Sequence, residues 1–478
     1  MFGSLPLDPN NDWIKLSKLV PWREFDLKYA DNFRSKKGQR AIDSRMALGA
    51  LLIKPAYKAL SDEDITKEIA MNPYLQYFLV LHEYRYECPF DPSMMTRFRQ
   101  RITPEMLAWV NDQIIGRKAE QDRKDDYNGG TGGQVDENKG GESAAEENQG
   151  TMILDATCAP QNIRFPTDAS LLNEAREKAE EIIDILHDMG LSEAKKPRTY
   201  REKALRKYNS FSKSRKKTVK LIRTTIRQQL GYLNRDLGII DAYELRHPDC
   251  LQKLSSRQQT MLQVIRTLYS QQEYMYRTGS HKVPDRIVSL SQSWVRPIVR
   301  GKQTADVEFG AKVEMSVVDG FLRIEDLRWD AFNESTTLQQ SVEAYRKAYG
   351  HYPARVLADT IFRTRENLKY CKEHGIHLNG PKLGKPFADP AEAKRHKKLE
   401  WLESGERGEI ERHFGVGKRR YSLDCIVTKL KETSEAMIHS IVIYMNLRKR
   451  LRLLLHSLFS WLRFMIQSLL LEAVFALA

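Results

Sequence analysis

Cysteine is scarce in this chain: there are five, at 88, 158, 250, 371 and 425. An odd, scattered set excludes a disulfide framework and a zinc knuckle, and it suits a reducing compartment. A secretory leader is also missing. The start, MFGSLPLDPNND, has no basic stretch followed by an apolar one. Long apolar runs are absent too. The most apolar stretch, Leu453 to Ala478, is broken by His456, Arg463, Gln467 and Glu472 and is not read as a spanning helix. No internal repeat is found at a period of about 20–50 residues. Gly384-Lys385 and Gly417-Lys418 lack the earlier glycine of a nucleotide loop, because Asn379 and Arg412 stand there. Neither lysine is followed by Ser or Thr. Cys371, His374 and His377 have ligand-like spacing but no fourth ligand near them, so no zinc site is expected. These absences point to a soluble, intracellular protein with no membrane partner.

What is abundant is positive charge. Across 478 residues, 77 Lys and Arg face 63 Asp and Glu, a formal charge of +14. That balance suits a polyanionic partner, nucleic acid before an acidic membrane. The charge is concentrated: residues 201–227 hold eleven bases against one acid, Glu202. Arg215, Lys216, Lys217, Lys220, Arg223 and Arg227 are the expected phosphate contacts. The plainer reading of the same stretch is a solvated helix face.

The length implies two to four folded units, about 100–200 residues each. Residues 1–116 read as helical. Ser61-Asp-Glu-Asp64 is a capping-box start, and Met95, Phe98 and Ile102 hold core spacing with Arg97, Arg99 and Arg101 projecting around them. Either a helix-turn-helix-like unit or a small bundle fits. Residues 117–150 carry nine acids, five bases, many glycines and almost no large apolar residue. They read as a flexible linker. Residues 151–445 form a mixed α/β domain, interrupted by a helical insertion at about 169–300, and 446–478 form an apolar helical tail. Within the α/β domain, Thr151–Asp155 and Arg355–Asp359 are short strands ending in a carboxylate. Val318-Asp319-Gly320-Phe321 is a hairpin turn, and Glu406 to Phe414 is a helix loosened afterwards by Gly415 and Gly417. Trp329 and Phe332 read as core. Arg363, Arg365, Lys382 and Lys385 stand near Asp359 in sequence, where they could line a channel.

Three carboxylates stand out. Asp155 and Asp359 sit where ligands of α/β sheets collect, at strand ends. Glu411 shares a helix face with Arg407 and Phe414, with Lys418 further along. Acids without a partnering His or Cys suit hard cations such as Mg²⁺. Two such ions roughly 4 Å apart activate an attacking oxygen and stabilise the leaving one. The bland alternatives remain open on spacing alone. Asp155 can be a turn or capping residue, and Arg407–Glu411 can be a surface ion pair worth ~0.5 kcal/mol.

Arg407, three residues, Glu411, six residues, Lys418 resembles the R-(3)-E-(6)-K signature of bacterial insertion-sequence DDE transposases. Asp155 in LDATCAPQNIRFPTD and Asp359 in VLADTIFRTRENLKYCKEHGI resemble that family's first and second catalytic aspartates. VRPIVRGKQTADVEFGAKVEMSVVDGF is similar to its second and third strands, and residues 1–105, closing in DPSMMTRFRQRI, resemble its helical N-terminal module. The signature's tyrosine would fall on Ser404, a departure from the pattern. The resemblance implies an RNase H-like fold, with Asp155 on the first strand, Asp359 after the fourth and Glu411 on a later helix. It implies two Mg²⁺ ions (or Mn²⁺) held by those three acids, with Arg407 and Lys418 on DNA phosphates. It further implies cleavage at transposon terminal inverted repeats, strand transfer into target DNA, a homodimer that pairs the two ends, and a bacterial cytoplasmic, nucleoid-associated setting. A metal-dependent nuclease without strand transfer, or an inactive transposase-derived DNA-binding protein, is the alternative.

Overall fold

The computed structural model describes residues 6–31, 42–58, 60–127, 148–190, 195–299, 307–382, 384 and 387–477, with side chains of 117–127 and 456–477 left undescribed. The core of the expected linker, 128–147, and Lys385 lie outside the described residues. The chain divides into two compact units. One holds Met1–Ala159, Val313–Leu327 and Phe332–Ala478; the other holds Pro160–Lys312 and Arg328–Ala331.

The first unit begins with helices. Ser61 and Asp64 form the expected capping box at the start of the helix Asp62–Met71. In the helix Met94–Arg101, Met95 and Phe98 are buried as their spacing predicts. Arg99 departs from the expectation that it projects outward. It is only 2% exposed, and its guanidinium donates twice to the Asp62 carboxylate, at 2.6 and 2.7 Å. A bidentate pair of this kind explains how a buried arginine is tolerated.

Two helices cross boundaries expected from the sequence. The helix Pro104–Tyr127 runs past Gly116 into the expected linker, through Lys, Glu, Gln and Arg that favour helix. A single helix spans Lys431–Leu477, across the expected start of the tail at residue 446. Its residues Ala436, Ile443, Leu447 and Leu451 recur at helical spacing and close the core made by Phe25, Leu48, Ile65, Phe78 and Phe98. The N-terminal helices and the end of the α/β region thus share one hydrophobic core.

Among the described residues six strands follow: β1 Thr151–Pro160, β2 Arg296–Val299, β3 Val307–Val318, β4 Phe321–Arg328, β5 Arg355–Ala358 and β6 His377–Leu378. Their order is β2-β3-β1-β5-β6, with β4 pairing β3. The short β2 pairs antiparallel with the start of β3. Strands β1 and β5 are parallel, as are β5 and β6. Asp319 and Gly320 join β3 to β4 with φ of 50° and 73°, the two left-handed residues that a tight hairpin needs. Without β2, which pairs with the start of β3, the order is β4-β3-β1-β5-β6. The architecture is the RNase H-like mixed sheet that was expected, with a helical N-terminal region. Helix Leu338–Tyr349 covers one face, placing Leu338, Val342 and Tyr345 against Met152, Leu154 and Val356.

The second unit is the expected helical insertion. Its helices Asp168–Asp188, Val219–Arg246 and Ser256–Thr278 bury Leu172, Ile183, Leu233, Ile240, Ile265 and Leu268 together. A polar cluster sits inside it. Arg176, 1% exposed, binds Glu180 at 2.5 Å. Asp236 is fully buried, and neither carboxylate oxygen has a hydrogen-bond partner among the described residues. Burial first, then the Glu180 charge, raises its pKa to about 8. The folded state therefore prefers protonated Asp236, whereas the unfolded chain ionises near pH ~3.9. This group's support for folding is full below that value and is lost as pH climbs towards 8. Asp236→Asn should remove a pH-dependent penalty on the order of a few kcal/mol at pH 8. Denaturation midpoints of both proteins between about pH 4 and about pH 8, the interval between the two pKa values, check this. Parallel pH profiles would refute it.

Candidate active site

Strand pairing sets the two aspartates side by side. The register of β1 and β5 runs Met152↔Val356, Ile153↔Leu357, Leu154↔Ala358. Asp155 and Asp359 are the next residue on each of these parallel neighbours, which lie about 4.8 Å apart. Asp155 does not end its strand, as was expected; β1 continues to Pro160 and holds Asp155 in mid-strand. Its Oδ1 accepts from the Ala156 N–H at 2.8 Å. Asp359 does end its strand. It caps the short turn Thr360–Phe362, accepting from the Thr360 N–H at 2.6 Å, and its side chain is exposed.

Glu411 lies on the helix Pro390–Arg420, which continues through Gly415 and Gly417 instead of loosening there. Phe414 and Ile410 anchor the helix and leave Glu411 exposed. Gly417 packs tightly: a Cβ there would stand 3.1 Å from the Leu423 side chain. Arg407 links the acids. Its guanidinium is 3.8 Å from Asp155 Oδ2 and 3.4 Å from Glu411 Oε1. Half-buried Lys418 lies two turns beyond Glu411 on the same face. Ser404 is exposed on that helix.

The helix end is fastened from the N-terminal region. Lys58 Nζ donates to the carbonyls of Lys418 and Arg419 at 2.7 and 3.3 Å, and pairs with Asp424 at 2.7 Å. The last carbonyls of a helix lack partners and carry partial negative charge, so an ammonium suits them. Sequence reasoning did not find Lys58, because its partners lie some 360 residues away.

Asp155 is 17% exposed at its side chain, and burial is the main reason that its pKa rises to about 6. The Ala156 N–H and Arg407 oppose the rise, while Glu334 and Asp359 add to it. Glu334, in the turn Glu334–Thr336, is a further acid of this neighbourhood that no motif singled out. The donors are all carboxylates, the set that a hard cation takes, and their mutual repulsion would be relieved by one. Among the described residues no three His, Cys, Asp or Glu stand close enough to hold a metal ion. The Arg407 guanidinium lies between Asp155 and Glu411 and bridges these two of the three expected acids.

The remaining basic residues of interest belong to the second unit. Arg215, Lys216, Lys217, Lys220, Arg223 and Arg227 are all exposed, around the turn between helices Arg201–Lys213 and Val219–Arg246. Arg223 lies over the Tyr276 ring at 4.7 Å. Of the residues near Asp359 in sequence, Arg363 is turned to structure: it donates to the carbonyls of Leu378, Asn379 and Pro381. The histidines of the rejected zinc triple have structural partners as well, His377 with buried Glu403 at 2.6 Å and His374 with the Tyr370 carbonyl.

Residues 356–448, which carry Asp359, Arg407, Glu411 and Lys418, match the family described as "Transposase DDE domain", and residues 5–101 match "Transposase domain (DUF772)". Both matched segments are thus similar to transposases, the later one to those of the DDE type. Asp155 lies outside both matched segments and is tied to the DDE segment by the β1–β5 register. The protein is also similar to "Uncharacterized protein ORF8 in nfe locus" of Rhizobium meliloti, 27% identical over 169 residues, 35% of this chain and 71% of that one. No solved structure matches it. Among the described residues, no helix is long and apolar enough to cross a membrane.

Proposed function

We propose that this transposase cuts DNA at the ends of its element and joins the freed ends to target DNA, with Asp155, Asp359 and Glu411 as the catalytic acids. The observation that carries the reading is the placement of Asp155 and Asp359 at one register step of parallel strands, with Arg407 reaching from Asp155 to Glu411. These three acids would hold the divalent ions, two Mg²⁺ or Mn²⁺, which when bound activate an attacking oxygen and stabilise the leaving one. Arg407, once released from its bridge, and Lys418 would bind phosphate oxygens beside the cut bond. The six exposed bases of the insertion would hold DNA further away, with strong salt dependence. Strand transfer needs two ends together, hence a homodimer, acting in the bacterial cytoplasm at the nucleoid.

The test is a cleavage and strand-transfer assay with a duplex carrying the repeats that flank the gene, with Mg²⁺ or Mn²⁺ and a plasmid target. Cut ends and joined products are expected. Cleavage without joining would assign the protein to the nucleases. DNA binding without metal-dependent cleavage would leave an inactive binding protein, a reading that Ser404 and the bridged Arg407 would then explain.

A further inference from the structure

We propose that the cleft between the last turn of the helix Pro390–Arg420 and the middle of the helix Lys431–Leu477 is a phosphate-backbone site for duplex DNA, gripping the strand some four nucleotides from the bond that is cut. The inference rests on the DNA-cutting reading above and adds a second grip on the same strand.

Arg419, Arg420, Arg448, Arg452, Tyr421 and Val416 line an open concavity of about 540 Å³. All six belong to the first unit. Four guanidinium groups from two helices therefore surround one hollow. Arg448 already has a role, binding Asp12 at 2.5 Å. Arg419, Arg420 and Arg452 are exposed, and among the described residues no carboxylate pairs with any of them. Arg419 Nε donates to the Gly415 carbonyl and Arg452 Nε to the Arg448 carbonyl, which steadies both side chains along their helices.

Two plainer explanations fall short. Bases in a last helical turn complement the helix dipole. That accounts for Arg419 and Arg420 but not for Arg448 and Arg452, which are mid-helix. Scattered solvated arginines would avoid one another, yet here the positive field spreads along the same seam. Burial is the main reason that the His413 ring resists protonation; Glu409 opposes this, and Lys449, Arg452 and Arg412 add to it. Concentrated like charge of this kind costs free energy unless a polyanion covers it. The floor of the hollow is firm as well. Tyr421 packs edge-on against Tyr444 at 5.4 Å, and Lys58 holds the helix end.

The position gives the ligand's register. Arg419 and Arg420 lie eight and nine residues beyond Glu411 on one continuous helix. At 1.5 Å per residue that is about 12–13 Å. Phosphates of one strand advance about 3.4 Å per nucleotide along the duplex axis, so for a duplex laid alongside this helix the offset is about four nucleotides.

The experiment is an anisotropy titration of the full-length protein with a labelled duplex carrying the sequence that flanks the gene. It is run in EDTA, so that nothing is cut, over a series of salt concentrations. The triple variant Arg419→Ala/Arg420→Ala/Arg452→Ala should make the slope of log K against log salt shallower by about 2.7, roughly 0.9 per lost phosphate contact. Phosphate-ethylation interference should vanish about four nucleotides from the cut position and persist at it. The corresponding triple lysine variant, which keeps the charge, should restore most of the slope; it also shows that misfolding is not the cause. A slope and interference pattern equal to those of the wild type would overturn the proposal while leaving the DNA-cutting reading in place. Wild-type protein that binds no DNA at all would bring both down.

Discussion

Asp359→Asn should abolish metal-dependent strand cleavage and leave DNA affinity unchanged. Asp359 is exposed, and its one structural task is to cap the turn Thr360–Phe362 by accepting from the Thr360 N–H. An asparagine side-chain oxygen accepts that bond equally well, so the fold should hold. What disappears is a negative charge beside Asp155, whose carboxyl now feels that charge. A hard cation depends on charged oxygen ligands. Losing one of three should lower the cleavage rate on the order of 10³-fold, about 4 kcal/mol of barrier. DNA affinity is carried by bases that this change does not touch. Rates on a labelled duplex, beside anisotropy titrations of the same preparations, check both halves. Residual cleavage within a few-fold of the wild type would remove Asp359 from the catalytic set and with it the proposed site.

The second large effect concerns stability. Strand β4 pairs with β3 on one side. On the other side the backbone of Leu322 would be left without a strand partner, an exposed edge inside the first unit. Asn446 supplies the missing partner. Its Oδ1 accepts from the Leu322 N–H at 2.9 Å, and its Nδ2 donates to the Leu322 carbonyl at 2.7 Å and to Asn111 Oδ1 at 2.8 Å. Asn111 Nδ2 donates to the same carbonyl at 2.9 Å. Both asparagines are buried, at 1% and 4% exposure. Asn446→Ala would strand the Leu322 N–H and the Asn111 Oδ1 away from water. Each orphaned group costs about 1–3 kcal/mol, so a loss of about 2–6 kcal/mol is expected. Urea denaturation of the single variants and of Asn111→Ala/Asn446→Ala measures it. The double variant should lose less than the sum of the singles, since they share one network. Strict additivity, or a loss below about 1 kcal/mol, would show that the network does not hold β4 in place.

Much of the architecture was legible because it is local. The apolar tetrads Met152-Ile-Leu-Asp155 and Val356-Leu-Ala-Asp359 announce two parallel strands that deliver an acid at equivalent positions. Asp319-Gly320 announces the hairpin, and Ser61 with Asp64 the helix start. The apolar spacing of Leu172, Leu233 and Ile265 announces an insertion with its own core. Misjudged boundaries had a common cause. Gly415, Gly417 and the polar run after Gly116 look like breaks in isolation, yet packing around Phe414 and helix-favouring side chains carry the helices through.

By itself, then, the sequence determined the strand–insertion–hairpin–strand order, the surplus of positive charge and the R-(3)-E-(6)-K spacing that puts Arg407 and Glu411 on one helix face. These depend only on neighbours a few residues apart. Only the tertiary structure decided that Arg407 bridges Asp155 and Glu411, that Lys58 holds the end of that helix, that Asn446 completes β4, and that the last helix closes the N-terminal core. Each of these joins residues far apart in the chain. Such contacts form when buried polar groups must find partners during close packing, and local periodicity carries no record of which partner that will be.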